Sequence, residues 1–284
     1  MGSNVWVVVI GYLAIVSSLA SGEEHRAIDL SGFRDAIKHW HDEPGRGRHD
    51  TRYDSSEVRA IADNLVSYQN GDGGWPKNID WLMKTDPDTI RALFSGRSLR
   101  STFDNRNTTT QIDYLAKAYT QTGDPAYRLS AEAGLDHVFR EQRETGGWRG
   151  WDVDAITYND DVMLGAMRLL RAIGSGAPGF AWLDDGRRML ARAALAKAVD
   201  VTLRCQIVVD GKKTAWCQQH DHVTLAPVKA RNYELPAICP VESVGIVRFL
   251  MELEDPQPEV IASVEAAVTW FDEVKIGGIR VERV

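Results

Sequence analysis

The sequence predicts an all-α fold, an α/α toroid of the (α/α)3-barrel type, with three helical hairpin repeats and a terminal helix. A recurring turn pattern is the first observation that predicts it. Gln69 begins a Gln-x-x-x-Gly-Gly-Trp motif, Gln142 begins the same motif, and Gln206 begins a looser copy that ends at Trp216. Each copy follows a segment with the apolar spacing of an amphipathic helix.

Two kinds of helix alternate along the chain, and this is the second observation. One kind precedes the turns, over residues 58–69, 131–142 and 195–206, with a fourth copy over residues 264–275. The other kind lies between them and begins near Thr108, Asp160 and Val241. The resulting hairpins are too long for common helical solenoid repeats, so a ring of hairpins is the better prediction. In such a ring, glycine ends each helix and tryptophan closes the hairpin.

The two ends of the chain differ from this pattern. Residues 5–16 are apolar and no charge occurs before Glu23, which predicts a signal peptide over residues 1–20 and a secreted or periplasmic protein. Residues 21–56 are rich in charge and are expected to form an exposed lead-in. The toroid domain is then expected over residues 57–284. The formal net charge of −7 argues against nucleic acid as a partner, and we expect a monomer without stable membrane insertion after cleavage.

The chain has three cysteines, so at most one internal disulfide can form. In a secreted protein we expect a Cys205–Cys217 bridge rather than a zinc site, because the spacing of the cysteines and histidines does not match structural zinc motifs.

Polar loops enter the second helix of each hairpin, and in a ring they would meet at one rim. The charged and amide residues of these three loops include Asp104 and Asn105 in the first, Asn159, Asp160 and Asp161 in the second, and Lys229, Arg231 and Glu234 in the third. Any one of the carboxylates could simply cap a helix. The coincidence of two carboxylate-rich loops and one cationic loop favours a binding site.

The expected donors are carboxylate, amide and hydroxyl oxygens, which suit Ca²⁺ better than zinc or copper. These loops supply fewer oxygens than Ca²⁺ takes, so water or an anionic ligand would complete the shell. A ligand carboxylate could also be held by Arg231, Lys77 or Arg149. Tryptophans at the turns could face sugar rings.

Six motifs that occur in order from about residue 57 to residue 280 resemble those of polysaccharide lyase family 10 pectate lyases. They are "NGDGGWPKNIDW", "STFDNRNTTTQI", "YNDDVM", "VVDGKKTAWCQQHD", "LAPVKARNYELP" and "ESVGIVRFLMELEDPQPEVI". The resemblance implies an (α/α)3 toroid that cleaves polygalacturonate by calcium-dependent β-elimination, with 4,5-unsaturated oligogalacturonates as products. Members of that family continue past the equivalent of Val284, so the sequence is a fragment or a shortened member.

The resemblance also implies roles for particular residues. Asp104 and either Asp160 or Asp161 would bind calcium, and Arg231 would be the Brønsted base. The substrate-binding residues would be Lys77, Asn105, Thr108 and Arg149. Arginine is charged at all ordinary pH values, so a basic Arg231 needs burial or cationic neighbours such as Lys229 and Lys77. Otherwise Arg231 is better interpreted as a cation that stabilises the intermediate.

Three alternatives stay open from the sequence. One is a non-catalytic carbohydrate-binding toroid. Another is a hydrolase of uronic-acid oligosaccharides, in which Asp104 and Asp160 would act as acid and base. Terpenoid cyclases share the turn motif, but the acid motif they need is incomplete in Asp152-x-Asp154-Ala155.

Overall fold

A computed structural model describes residues 25–43, 51–86, 88–89, 92, 99–280 and 282. Its helices in the described part of the chain are α1 (Arg34–Asp42), α2 (Val58–Ser67), α3 (Thr109–Thr122), α4 (Pro125–Glu141), α5 (Val162–Gly174), α6 (Asp185–Arg204), α7 (Pro240–Met251) and α8 (Pro258–Val274). No described helix is both long enough and apolar enough to span a bilayer. The predicted signal peptide lies outside the described residues.

The helices form two layers, which confirms the predicted α/α toroid. One layer consists of α3, α5 and α7, in which α5 contacts both of the others. The other layer consists of α2, α4, α6 and α8, in which each helix contacts the next one in this order. The most extensive contacts between helices are those of α3 with α4 and of α5 with α6, followed by α7 with α8 and α2 with α3. Helices that precede the turns therefore lie in one layer, and the helices that begin at the polar loops lie in the other.

The strands are short and contribute to the loops rather than to the ring. They are β1 (Ala155–Thr157), β2 (Val208–Val209), β3 (Lys212–Lys213) and β4 (Gln219–Asp221). Strands β1 and β4 pair antiparallel, with Ile156 opposite His220, and β2 pairs antiparallel with β3. The first pair joins the loop before α5 to the loop before α7, which brings the second and third polar loops together.

The tryptophans of the three turns have the same buried position in each repeat. Each indole N–H donates to a carbonyl in the preceding helix: Trp75 to Leu65 at 2.8 Å, Trp148 to Val138 at 2.9 Å and Trp216 to Thr202 at 2.7 Å. All three side chains are 0 % exposed. The interpretation that these tryptophans close the hairpins is confirmed, and the expectation that turn tryptophans face sugar rings is wrong for these three.

The motif glutamines tie successive helices of one layer together. Each side-chain amide donates to a carbonyl of its own turn and to one of the next helix: Gln69 to Gly73 and Ser130, Gln142 to Gly146 and Ala194, Gln206 to Thr214 and Ser263. Gly73 and Gly146 have φ values of 89° and 107°. A Cβ at either glycine would lie 2.3 Å from a carbonyl oxygen of the next helix, so this close approach requires glycine.

The lead-in is part of the folded core where the structure describes it. Phe33 and Trp40 are each 1 % exposed, and Ile28 and Ala36 are also buried against the helices. The expectation of an exposed lead-in is therefore wrong for residues 25–43. Its charged residues alternate with these apolar ones, so it is an amphipathic segment with one buried face.

The cysteines differ from the expectation as well. Cys205, Cys217 and Cys239 are all free thiols, and the first two are buried. The expected Cys205–Cys217 bridge is therefore absent. Burial raises the pKa of Cys205 to about 12, so its thiol is an inert part of the core.

Candidate active site

Two short turns at the same place in consecutive repeats carry the candidate carboxylates. Asp104–Arg106 and Asn159–Asp161 each form a 3-10 turn, and the two turns pack against each other. In both turns the last two residues have left-handed backbone, with φ values of 55° and 61° at Asn105 and Arg106, and of 54° and 57° at Asp160 and Asp161. Such conformations cost of order 1–3 kcal/mol for a residue other than glycine and are concentrated at functional sites.

Asp104 is buried and both of its oxygens are engaged. The residue is 2 % exposed, and one carboxylate oxygen accepts a hydrogen bond from the ammonium of Lys77 at 2.7 Å. The other oxygen accepts from the backbone N–H of Trp151 at 3.0 Å. Lys77 therefore neutralises Asp104 when no other cation is bound.

Asp160, in the second turn, is close enough to Asp104 for the two charges to interact. Burial and, next, the negative charge of Asp104 raise the pKa of Asp160 to about 6, while the charges of Arg231 and Lys77 act against this rise. Two carboxylates and two cations therefore act on one another here. Asn159 donates to Asp160 at 3.2 Å and to Glu234 at 3.3 Å, which links the second polar loop to the third.

Asp161 points away from this pair. One of its oxygens accepts from Arg106 at 2.6 Å and the other from Arg168 at 3.4 Å. Arg106 occupies the equivalent position in the preceding turn, so this ion pair joins the two repeats. The geometry thus brings together Asp104 and Asp160, and it does not bring Asp161 to them.

The neighbours of the Arg231 guanidinium are carboxylates, and not the cations that a basic arginine would need. Its Nε donates to Glu234 at 2.9 Å, its Nη2 donates to the same oxygen, and Asp152 lies 3.7 Å from Nε. The hydrogen bonds to Glu234 raise the pKa of the Arg231 guanidinium. Lys229 instead donates to Asn232 at 3.2 Å. This environment stabilises the charged form, which is the opposite of what a basic arginine needs.

The other predicted substrate-binding residues have different surroundings. Asn105 donates to Asn78 at 3.1 Å beside the carboxylates. Thr108 is 0 % exposed, accepts from the N–H of Trp75 and donates to the carbonyl of Thr102, so it supports the turn and does not reach a ligand.

Arg149 lies near the site with its guanidinium partly buried. Its Nε donates to the carbonyl of Gly150 at 3.2 Å, and Nη1 is 3.8 Å from Asp154. Burial, followed by the charges of Arg100 and Arg143, lowers the pKa of Arg149.

Sequence reasoning missed Trp151, which is half-buried at the site. The ammonium of Lys77 lies 4.7 Å from the centroid of its ring, and its backbone N–H donates to Asp104. The signal was a second tryptophan in the "GGWRGW" turn, three residues after the buried Trp148. The sequence places Glu234 in the third polar loop, but it does not reveal the turn between residues 231 and 234 that pairs Glu234 with Arg231.

The residues at the paired turns fit calcium in type but not in number. Within the described ranges, no group of three or more His, Cys, Asp or Glu side chains is arranged to hold a metal ion. The donors here are the carboxylates of Asp104 and Asp160 with amide oxygens from Asn105 and Asn159. They form a hard, oxygen-only set, in which Asp104 is buried and Asp160 is partly exposed, and two neighbouring carboxylates are a suitable place for a divalent cation. Because Ca²⁺ takes 6–8 oxygens, water or substrate would supply the remainder.

Comparisons with known proteins agree with this site. Residues 69–284 match the family described as pectic acid lyase. A similar solved structure is an aspartate-to-alanine mutant of a family 10 polysaccharide lyase from Cellvibrio cellulosa in complex with trigalacturonic acid, with 28 % identity and a TM-score of 0.66 over 87 % of this chain and 74 % of that chain. Another structure of a family 10 polysaccharide lyase from this organism has 27 % identity and a TM-score of 0.66 over 87 % of this chain and 73 % of that chain. No curated protein shows significant similarity to the chain.

The family match spans more than half of the chain, and it includes both carboxylate turns and the loop of Arg231. The two layers of helices agree with the solved structures over most of their length. The resemblance seen in the six sequence motifs is thereby confirmed. The chain belongs to the pectic acid lyase family, within polysaccharide lyase family 10, and is a polysaccharide lyase that acts on pectate.

Proposed function

We propose that the protein cleaves polygalacturonate by calcium-dependent β-elimination and leaves a 4,5-unsaturated uronate at the new end. The observation that carries this proposal is the pairing of Asp104 with Asp160 at two equivalent turns, with Lys77 and Arg231 acting on the same carboxylates. The trigalacturonic acid bound to the related lyase supports the choice of substrate.

Asp104 and Asp160 are the residues that would hold calcium together with a uronate carboxylate. When bound there, the metal would withdraw charge from that carboxylate and make the neighbouring proton on carbon 5 more acidic. Asp160 has to be ionised for this role, and a cation bound beside it would lower its raised pKa and so favour the ionised form. Lys77 supplies positive charge to Asp104 and can turn to the substrate carboxylate.

The elimination removes the proton from carbon 5 and breaks the bond between carbon 4 and the leaving oxygen. The electron pair of the broken C–H bond forms the double bond between carbons 4 and 5, and the electron pair of the C–O bond leaves with the oxygen. The proton from carbon 5 passes to a base and from there to water, and the leaving oxygen takes a proton from water, so the protons balance. Arg231, kept charged by Glu234, is placed to stabilise the negative charge that develops next to carbon 5. Proton removal by Arg231 itself would require substrate to displace Glu234 first, because only a neutral guanidine accepts a proton.

Four side chains are proposed to contact substrate directly. Lys77 and Arg149 offer positive charge for uronate carboxylates, and Asn105 offers an amide. Trp151 offers an aromatic face beside Lys77. Thr108 is left out of this group because it is fully buried with its hydroxyl group engaged on both sides.

The test is the ultraviolet absorbance of the 4,5-unsaturated uronate during incubation with polygalacturonate, first with calcium and then with a chelator. We expect absorbance to rise with calcium, to stop on chelation and to fall by roughly a hundredfold or more in Arg231→Ala. Arg248→Ala, at an exposed arginine of α7, is the control and should keep its activity. Binding of polygalacturonate without any product would instead favour the non-catalytic carbohydrate-binding toroid.

A secreted or periplasmic location is proposed as well, from the apolar stretch of residues 5–16 and from the substrate. Mass spectrometry of the protein recovered from outside the cytoplasm should find an amino terminus near residue 21. An intact Met1 on the exported protein would contradict cleavage.

A further inference from the structure

A small cavity opens beside the paired carboxylates. It has a volume of about 160 Å³, and its wall includes Arg100, His137, Arg149 and Gly150. A Cβ at Gly150 would lie 2.9 Å from a carboxylate oxygen of Asp104, so the wall of this cavity adjoins the candidate calcium ligand. We call it the Arg100–Arg149 pocket.

The pocket carries more positive than negative charge in its wall. Two guanidinium groups line it, together with a single carboxylate, Glu141. The ion-pair partner of Arg149, Asp154, also accepts from Arg143, so that carboxylate serves two cations. Burial lowers the pKa of Arg149, and the charges of Arg100 and Arg143 lower it further. An anionic ligand would relieve this repulsion.

Trp151 connects the pocket to the paired carboxylates. The guanidinium carbon of Arg100 lies 4.1 Å from the centroid of the Trp151 ring, and Arg100 donates to the Trp151 carbonyl. The ammonium of Lys77 lies 4.7 Å from the centroid of this ring, and the backbone N–H of Trp151 donates to Asp104. A row of positive charges with one aromatic ring thus leads from Asp104 into the pocket. A chain with one carboxylate on each sugar would match this row.

His137 supplies an independent sign of a ligand. The residue lines the pocket and is only 2 % exposed, and its Nε2 has no hydrogen-bond partner within the described residues. Nδ1 lies 2.8 Å from Nη2 of Arg140 and 3.1 Å from the carbonyl oxygen of Asp72, so in either tautomer Nε2 is the ring nitrogen that lacks a partner. Burial lowers the pKa of His137, which keeps the ring neutral. A buried polar nitrogen without a partner costs about 1–3 kcal/mol, and a hydroxyl group of a ligand in the pocket could pair with it as donor or acceptor.

We propose that the Arg100–Arg149 pocket is a subsite for the carboxylate of a second galacturonate unit, the neighbour of the unit held at Asp104 and Asp160. Arg149 and Arg100 would pair with that carboxylate, and Nε2 of His137 would hydrogen-bond to an adjacent hydroxyl group. The lyase would therefore recognise two free carboxylates and disfavour a methyl ester in the second position. This subsite rests on the proposed function, because it assumes a polygalacturonate chain at the site.

Calorimetric titration with galacturonate oligomers of increasing length tests the subsite without requiring turnover. In the wild type, the affinity for the oligomer should increase in one step at the oligomer length that first reaches the pocket. Arg149→Gln and Arg100→Gln should lose about tenfold at that step, the contribution of one charge-assisted pair, and Arg248→Gln should retain it. A step retained in both pocket variants overturns the subsite. Absence of binding by the wild type for every oligomer overturns the proposed function instead.

A trigalacturonate with a single methyl ester, on the unit that would reach the pocket, separates this carboxylate from the one at Asp104 and Asp160. The ester should bind the wild type about tenfold more weakly than the free acid, and Arg149→Gln should bind acid and ester alike. Equal affinity of the wild type for acid and ester would contradict the proposal. Thermal unfolding of each variant shows whether it is folded. If Arg149→Gln does not fold, the comparison of acid and ester on the wild type and on His137→Gln still decides.

Discussion

At the scale of single residues, Glu234 holds Arg231 by three hydrogen bonds. The Nε and Nη2 groups donate to one carboxylate oxygen, and the backbone N–H donates to the other at 3.2 Å. Glu234 is 5 % exposed, and Arg231 keeps its pKa above that of a free guanidinium. The pair therefore fixes both the position and the charge of the side chain proposed at the reacting centre.

Replacing Glu234 by glutamine tests this arrangement. We expect Glu234→Gln to reduce kcat by roughly ten- to a hundredfold, because Arg231 loses the negative charge of its partner and with it its fixed position. Glu252→Gln is the matched control, since Glu252 pairs with Arg171 on an exposed part of the molecule. Higher activity in Glu234→Gln would contradict the cationic role and indicate that Arg231 acts as a neutral base restrained by Glu234.

His220 gives a residue-level prediction about pH. It is fully buried, its Nδ1 donates to the carbonyl of Leu225 and its Nε2 accepts from the N–H of Cys217. Burial lowers the pKa of His220, so the neutral ring contributes stability that is present above the ordinary histidine pKa and is lost as the pH falls below it. Between about pH 7.5 and about pH 5, urea unfolding of the wild type should show a larger loss of stability than that of His220→Gln. Equal losses of stability in the wild type and in His220→Gln would contradict this. His222→Gln is the control and should lose as much stability as the wild type.

At the scale of elements, the Gly-Gly-Trp turns set how closely successive helices approach. Gly73 places its Cα against the carbonyl of Ala133 in α4, and Gly146 repeats this against Lys197 in α6. The equivalent contacts explain why the motif recurs with the period of the hairpins.

A pair of substitutions in one turn measures that contact. Gly73→Ala would place a methyl group 2.3 Å from a backbone oxygen at a positive φ, and we expect it to lower the free energy of unfolding by about 2–4 kcal/mol. Gly71→Ala, with open space around its Cα, should change it by less than about 1 kcal/mol. Urea denaturation gives both values. A Gly73→Ala protein as stable as Gly71→Ala would rule out the close approach.

Helices and turns were predictable because their signals are local. Apolar spacing and the Gly-Gly-Trp motif place each helix end, and the repeat indicates which loops share a rim. The direction of Asp161 was not predictable, since it depends on two successive left-handed residues and on Arg106 from another repeat. Trp75 and Trp151 belong to the same residue type in similar turns, yet one is buried and the other is half-exposed at the site. Only the packed neighbours decide between them.

At the scale of the whole molecule, the cluster of cations at the candidate site has the opposite sign to the net charge of the protein. The protein carries a formal net charge of −7, yet Lys77, Arg100, Arg149 and Arg231 gather around the paired carboxylates. An anionic polysaccharide is attracted by this local field rather than by the molecule as a whole. The lead-in joins the same body, because Phe33 and Trp40 are buried in the core.

The central claim is that Asp104 and Asp160, from equivalent turns, hold calcium together with the substrate. The most direct measurement is the calcium dependence of unsaturated-product formation in wild type, Asp160→Asn and Asp161→Asn. We predict that Asp160→Asn needs at least about tenfold more calcium or loses activity, because a charged ligand is removed. Asp161→Asn should keep the calcium requirement of the wild type. An unchanged requirement in Asp160→Asn, or a shift confined to Asp161→Asn, would contradict the account.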